Sequence, residues 1–335
     1  MMRGHTISSV FSFSGIALAG AIALSGLGLA GAHAVEIDPD LAPYTATSGV
    51  SGNIKSVGSD TMNNLMTLWA EGFRKMYPGV RVEIEGKGSS TAPAALIAGQ
   101  STFGPMSREM KSAEIDAFQQ RYGYKPVAMR TAIDMLAVYV HKDNPIAQKG
   151  LTLQQIDAIF SKIRKGGLAR PITTWGQLGL TGEWANQPIR LYGRNSASGT
   201  YGFFKENALF KGDFRDDVKE QPGSSAVVQG VATDRYAIGY SGIGYKTADV
   251  ATVPIAGDGA SDMVVPSAEN AGSYPLSRFL YLYLNYKPGQ SLDPLRAEFL
   301  KFVFSAQGQT EVLKDGYLPV PAVVATADLE AVGQK

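Results

Sequence analysis

Between residues 61 and 77, apolar side chains recur every three or four positions. Met62, Leu65, Met66, Trp69, Phe73 and Met76 fall on one face of a helix, and Pro78-Gly79 ends it. Residues 53–57 form a short strand before it. Val80, Val82 and Ile84 follow it at the two-residue period of another strand. The alternation continues. Pro93 falls in the first turn of a short helix ended by Gly99, residues 103–106 read as a strand, and a helix covers about 113–121. A strand is expected over 132–141, and Thr152 with Gln155 forms a capping box ahead of Ile156, Ile159 and Phe160. Further strands fall at 189–192, 236–240 and 279–284, with a helical stretch at 201–207 and two helices at 295–304 and 307–314. Strands that alternate with helices predict an α/β architecture with largely parallel sheets. No internal repeat interrupts this order.

Composition narrows the partners. The chain has 335 residues, enough for two domains with their own cores. Its formal net charge is +1, so no general field draws it to nucleic acid or to an anionic membrane, and any anion must be held by a local site. It has no cysteine, which excludes thiol catalysis, disulfides and zinc–thiolate centres. Of its three histidines, His5 and His33 lie near the start, leaving His141 alone. Neither a transition-metal site nor a histidine-activated serine is expected, and no cofactor is implied. Arg3, the apolar run from Phe11 to Ala30 and the Ala32-His33-Ala34 end have the form of a secretory signal, with cleavage after Ala34. No cysteine follows to carry a lipid, and no later run is long and apolar enough to span a membrane. The mature chain is expected outside the inner membrane, beginning with a polar lead-in over 35–50.

Three hydroxyl-rich segments carry the candidate chemistry, each at a strand end where ligands of α/β sheets bind. Arg194-Asn195-Ser196-Ala197-Ser198-Gly199-Thr200 follows the strand at 189–192 and precedes a helix. An arginine fork matches two oxygens of a tetrahedral anion, the N–H groups at a helix start add donors, and Gly199 lets backbone approach closely. Gly58-Ser59-Asp60-Thr61 and Gly88-Ser89-Ser90 end the first two strands. Each could be an ordinary helix cap; three at three strand ends point to one composite anion site. Gly86-Lys87 does not have the spacing of a phosphate loop, and Gly239, Gly242 and Gly244 do not have that of a dinucleotide fingerprint. Anion-holding groups are many and groups that do chemistry few, which favours binding over catalysis.

Those segments, with Phe103-Gly104-Pro105-Met106-Ser107-Arg108 and Ala237-Ile238-Gly239-Tyr240, come in the order seen in the periplasmic phosphate-binding proteins of bacterial phosphate ABC transporters. The resemblance runs from about Asn53 to Pro321, and Arg194 with Ser198-Gly199-Thr200 is its most specific part. It implies a type II periplasmic binding protein fold, two α/β lobes joined by two crossover hinge segments. The crossovers are expected at about 133–141 and 245–253, with lobe one at 50–136 plus 252–335 and lobe two at 137–251. Phosphate contacts are implied at Arg194, Ser198, Gly199 and Thr200 from one lobe and at Asp60, Thr61 and Ser89 from the other, with Ser59, Ser90, Ser107, Arg108 and Asp134 nearby. The implied partners are inorganic phosphate and an inner-membrane ABC permease, for a periplasmic monomer. Two positions depart from the family. Ser107 stands where well-known members have the aspartate that accepts the phosphate proton, and Ser196 where they have one bracing the arginine. Asp60 or Asp134 is expected to take the acceptor role. Alternatives are a binder of another oxyanion such as sulfate or molybdate, a serine phosphatase or esterase using Ser89 or Ser198, and a sensor or adhesion scaffold.

Overall fold

The structure, a computed structural model, describes residues 36–334, so the leader and its cleavage point after Ala34 lie outside the described residues. The chain begins β1 (Gly52–Val57), α1 (Asn63–Met76), β2 (Val80–Glu85), α2 (Thr91–Ile97), β3 (Gly104–Met106), α3 (Ser112–Tyr122) and β4 (Val127–His141). It continues with α4 (Ile146–Lys149), β5 (Leu151–Thr152), α5 (Leu153–Phe160), β6 (Arg190–Arg194), α6 (Gly199–Asn207), β7 (Lys219–Gln221) and α7 (Ser224–Thr233). It ends with β8 (Ala237–Gly242), β9 (Val250–Thr252), β10 (Ile255–Ala256), β11 (Ser277–Leu284), α8 (Pro294–Val303), α9 (Ala306–Lys314) and α10 (Ala322–Ala331).

The periodic face of α1 is buried as its spacing predicts: Leu65, Met66, Trp69 and Phe73 pack on Phe299, Leu300 and Phe302 of α8. The Trp69 indole N–H donates to the Gly308 carbonyl at 2.9 Å. The capping box at α5 is present in both directions. Thr152 Oγ1 accepts the Gln155 N–H at 3.1 Å, and Gln155 Oε1 accepts the Thr152 N–H at 2.9 Å.

Two large cores result. The first gathers β1, α1, β11, α8 and the start of β4, through residues such as Ile54, Met129, Leu280 and Phe299. The second gathers the rest of β4 with α5, β6 and β8, through Leu136, Val138, Ile156, Leu191 and Ile238. β4 passes from the first core to the second, since Met129 and Ala132 pack in one and Leu136, Val138 and Val140 in the other. Val253, Ile255, Tyr274 and Leu276 still pack in the second core, and Leu280 of β11 re-enters the first.

The sheets are less parallel than expected. β1 pairs with β2, β5 with β10, and β6 with both β7 and β8 in parallel. β4 runs antiparallel to β8, β9 and β11, and β3 antiparallel to β11. Two strands that cross between the same cores in opposite senses must lie antiparallel when they pair, and β4 and β11 do so, with Arg278 opposite Asp134. α7 and α10 had no counterpart in the sequence reading. The apolar residues of α10 are spread around the helix instead of forming a stripe, so its pattern lacks a helical period.

Candidate functional site

The ends of β1, β2, β3 and β6 converge on one place. Arg194 is the last residue of β6, and its side chain is only 1% exposed. Its Nη1 donates to Ser224 Oγ at 2.6 Å and its Nη2 to the Pro222 carbonyl at 3.3 Å. Nη2 also lies 3.3 Å from Asp60 Oδ2, which accepts the Ser224 N–H at 2.8 Å. Burial lowers the Arg194 pKa while the Asp60 charge opposes that shift, so the carboxylate offsets part of the cost of a buried cation. Arg194 Nε is buried with no hydrogen-bond partner among the described residues, as is Ser59 Oγ. A buried guanidinium donor left without an acceptor is costly unless an acceptor arrives.

Hydroxyls line the same place. Ser198 caps α6, its Oγ accepting the N–H groups of Thr200 at 3.1 Å and Tyr201 at 3.4 Å. With its lone pairs facing backbone donors, its proton is free to donate outward. Thr200 Oγ1 lies 2.9 Å from Thr61 Oγ1. The Thr61 carbonyl accepts from the hydroxyls of Tyr245 at 3.2 Å and Tyr317 at 2.9 Å, which holds the turn after β1. Ser89 Oγ accepts the Ser107 N–H at 3.0 Å and lies 3.3 Å from Ser107 Oγ. Gly199 packs on both: a Cβ there would stand 2.3 Å from Ser89 Oγ and 2.7 Å from Ser107 Oγ. Gly88, at φ +117, leaves room for the Ala197 carbonyl, which accepts the Ser90 N–H at 3.1 Å.

Of the expected residues, the structure brings Ser59, Asp60, Thr61, Ser89, Ser107, Arg194, Ser198, Gly199 and Thr200 to one locality. Arg108 turns away. Its guanidinium forms a two-pronged pair with Glu114 of α3 at 2.8 and 2.7 Å, and Ser90 Oγ meets it only at 3.4 Å. Asp134 is fully buried and engaged. Its Oδ2 accepts from Arg278 at 2.9 and 2.7 Å and its Oδ1 from the Ile243 N–H at 2.9 Å. Sequence reasoning missed Ser224, Arg278 and Tyr245. Gly223-Ser224-Ser225 repeats the form of Gly88-Ser89-Ser90 and could have been read the same way. Arg278 gave no such signal, because the pairing of β11 with β4 that aims it is set by register.

Chemically, the site offers one buried cation with a donor to spare, several hydroxyl donors, a helix N-terminus and one partly exposed carboxylate. That set suits an oxyanion that keeps a proton. The single histidine among the described residues, His141, accepts the Asp143 N–H at 3.2 Å in the turn after β4. Among the described residues no group of three or more His, Cys, Asp or Glu is placed to hold a metal.

A family model described as the PBP superfamily domain matches residues 43–307. Over 325 residues the chain is 56% identical to the phosphate-binding protein PstS of Pseudomonas aeruginosa, covering 96% of each protein. Among solved structures, a putative phosphate ABC transporter substrate-binding protein with bound phosphate from Clostridium perfringens superposes with a TM-score of 0.67 at 29% identity. That match covers 80% of this chain and 100% of that one. A possible phosphate-binding protein from Planctomyces limnophilus superposes with a TM-score of 0.61 at 27% identity, covering 85% of this chain and 98% of that one.

Proposed function

The chain belongs to the PBP superfamily and, within it, to the phosphate-binding proteins of bacterial phosphate ABC transporters, and from that premise we propose that it captures inorganic phosphate in the periplasm and delivers it, as a monomer, to an inner-membrane ABC permease. The observation that carries the reading is Arg194: a guanidinium 1% exposed, with Nε lacking an acceptor among the described residues, in the same locality as Ser198, whose Oγ already accepts two backbone N–H groups. Phosphate oxygens complete it. Arg194 takes one edge of the anion, Ser198 and Thr61 donate hydroxyl protons, and the α6 N-terminus adds the Gly199 N–H.

Asp60 supplies both carboxylate roles that Ser107 and Ser196 leave open. Its Oδ2 braces Arg194 from the opposite turn, standing in for a carboxylate at position 196. Its Oδ1 has no side-chain or backbone donor among the described residues, and the residue is 24% exposed, so it is free to accept the phosphate proton. Asp134, held by Arg278, has no oxygen to spare. Phosphate near neutral pH has a proton to give and sulfate does not, so a carboxylate at the anion admits one and repels the other.

We take lobe one as 50–136 with 277–335 and lobe two as 137–276, following the cores. Contacts such as Asp60 to Ser224 and Thr61 to Thr200 join the turns of one to the helix starts of the other. Phosphate that touches both sides stabilises the joined arrangement, and the permease reads it.

Calorimetry of the mature chain, stripped of ligand, tests this. Phosphate is expected to bind and sulfate and molybdate to compete poorly between about pH 5 and pH 9, and Asp60→Asn to narrow the phosphate-over-sulfate preference by about tenfold or more. Equal binding of phosphate and sulfate by the wild-type chain would sink the reading. Full selectivity in Asp60→Asn would sink the role of Asp60.

A further inference from the structure

Arg278 lies where three parts of the molecule meet. It is on β11, opposite Asp134 of β4, on the two strands that pass between the cores. Its side chain is 2% exposed, and every guanidinium nitrogen has a partner. Nε and Nη2 donate to Asp134 Oδ2 at 2.9 and 2.7 Å, and Nη1 donates to the Ser107 carbonyl at 2.8 Å. Nη2 also donates to Thr200 Oγ1 at 2.9 Å, and the Phe203 ring centroid lies 5.2 Å from the guanidinium carbon. One side chain therefore ties the crossing strands to the turn after β3 and to the first turn of α6.

We propose that Arg278, held by Asp134, is a positioning residue of the anion site: it orients the Thr200–Thr61 hydroxyl pair toward the bound anion and latches α6 against the turn after β3. This rests on the phosphate-binding reading above. A hydroxyl that accepts from a cation is polarised into a stronger donor. Thr200 Oγ1 accepts from Arg278 and lies 2.9 Å from Thr61 Oγ1; in the proposed arrangement it gives its proton to that oxygen. Thr61, its carbonyl fixed by Tyr245 and Tyr317, then directs its own proton at the anion. Asp134 neutralises the guanidinium, so the device steers hydroxyls without adding net charge to the site. Lysine cannot replace it, because an ammonium lacks the planar fork that reaches Asp134, Ser107 and Thr200 together. Since Ser107 and Thr200 lie on opposite sides of the site, losing the fork should speed release of the anion more than it slows capture.

The experiment separates positioning from mere structure. Arg278→Gln alone leaves Asp134 buried and unpaired, so it should lower the thermal midpoint of the ligand-free chain. The double variant D134N/R278Q removes that charge and should recover much of the midpoint. Its phosphate affinity, by calorimetry, is expected to stay about ten- to a hundredfold below wild type, the size of a lost charge-assisted bond, with the loss mostly in the stopped-flow dissociation rate. Arg278→Lys keeps a cation beside Asp134 and is expected to lose affinity in the same range. It decides the matter if the double variant does not fold. Affinity that returns to wild type in D134N/R278Q or is retained in Arg278→Lys overturns the inference, while the wild-type chain still binding phosphate leaves the parent reading intact. A wild-type chain that takes up no phosphate overturns both.

Discussion

Arg194 and Asp315 are two ionisable side chains out of water, and burial acts on them in opposite ways. Arg194 is stabilised by Asp60 and by the oxyanion it is proposed to hold. Its replacement by alanine leaves that oxyanion with hydroxyl and backbone donors but without the guanidinium that faces it. Arg194→Ala is expected to cost about 2 kcal/mol or more of phosphate affinity, and a dissociation constant within about threefold of wild type by calorimetry would count against the assignment. Asp315 sits beyond Gly244, with Oδ2 buried and without a hydrogen-bond partner among the described residues. Desolvation first, then the nearby Asp134 charge, push its pKa up from 3.8 to about 7. The folded pKa lies above the unfolded one, so this group costs nothing while both states are protonated. It then removes stability as pH rises from about 4, and the full penalty stands above about pH 7. Asp315→Asn should therefore stabilise the chain on the order of 2 kcal/mol at pH 8 and progressively less toward pH 4, read from thermal unfolding at several pH values. Equal midpoints for the two proteins at pH 8 would refute it. The residues of the site were legible to different degrees. Arg194, Ser198 and Thr200 announced themselves by chemistry and spacing within seven positions. Asp60 was visible as a carboxylate, but its bracing of Arg194 was not, because that pairing joins turns more than a hundred residues apart. Asp134 looked equally available until its partner Arg278 came into place.

Elements explain why those side chains can converge. α6 begins at Gly199, two residues before the helical stretch read from the sequence, so its first N–H groups face the turns after β2 and β3. Gly199 is required there by close approach. Gly199→Ala drives a methyl into Ser89 and Ser107, whose hydroxyls stand well inside contact distance. The expected result is a loss of phosphate affinity of about tenfold or more, read by calorimetry, because the methyl forces α6 away from the turns after β2 and β3. Unchanged affinity would show that α6 need not approach so closely. Single elements were readable because period and punctuation are local: α1 lies within the span its apolar face marked, and α5 starts at its capping box. Pairing was not readable. The direction of β4 against β11 depends on which cores the strands serve, and no local pattern encodes that. α7 went unseen for a related reason, being a short, weakly patterned helix that tertiary packing holds.

At the scale of the molecule, β4 runs through both cores and pairs with β11 where the chain re-enters the first, so the two halves share the strands between them. Strain placed on the Arg278–Asp134 rung is felt by both. The first core has a further property. It is written at both ends of the chain: Trp69 and Phe73 near the start close on Phe299 and Phe302 near the finish, and the Trp69 indole donates to Gly308. A growing chain thus cannot complete this core until its last tenth has emerged. For the exported protein proposed above, made on one side of a membrane and folded on the other, such wiring would delay premature collapse and keep the nascent polypeptide threadable. A chain ending at Asp293 is expected to leave Trp69 in water, with red-shifted indole emission and no cooperative unfolding of the first core. A blue-shifted, cooperatively melting fragment would show that early segments can fold without waiting.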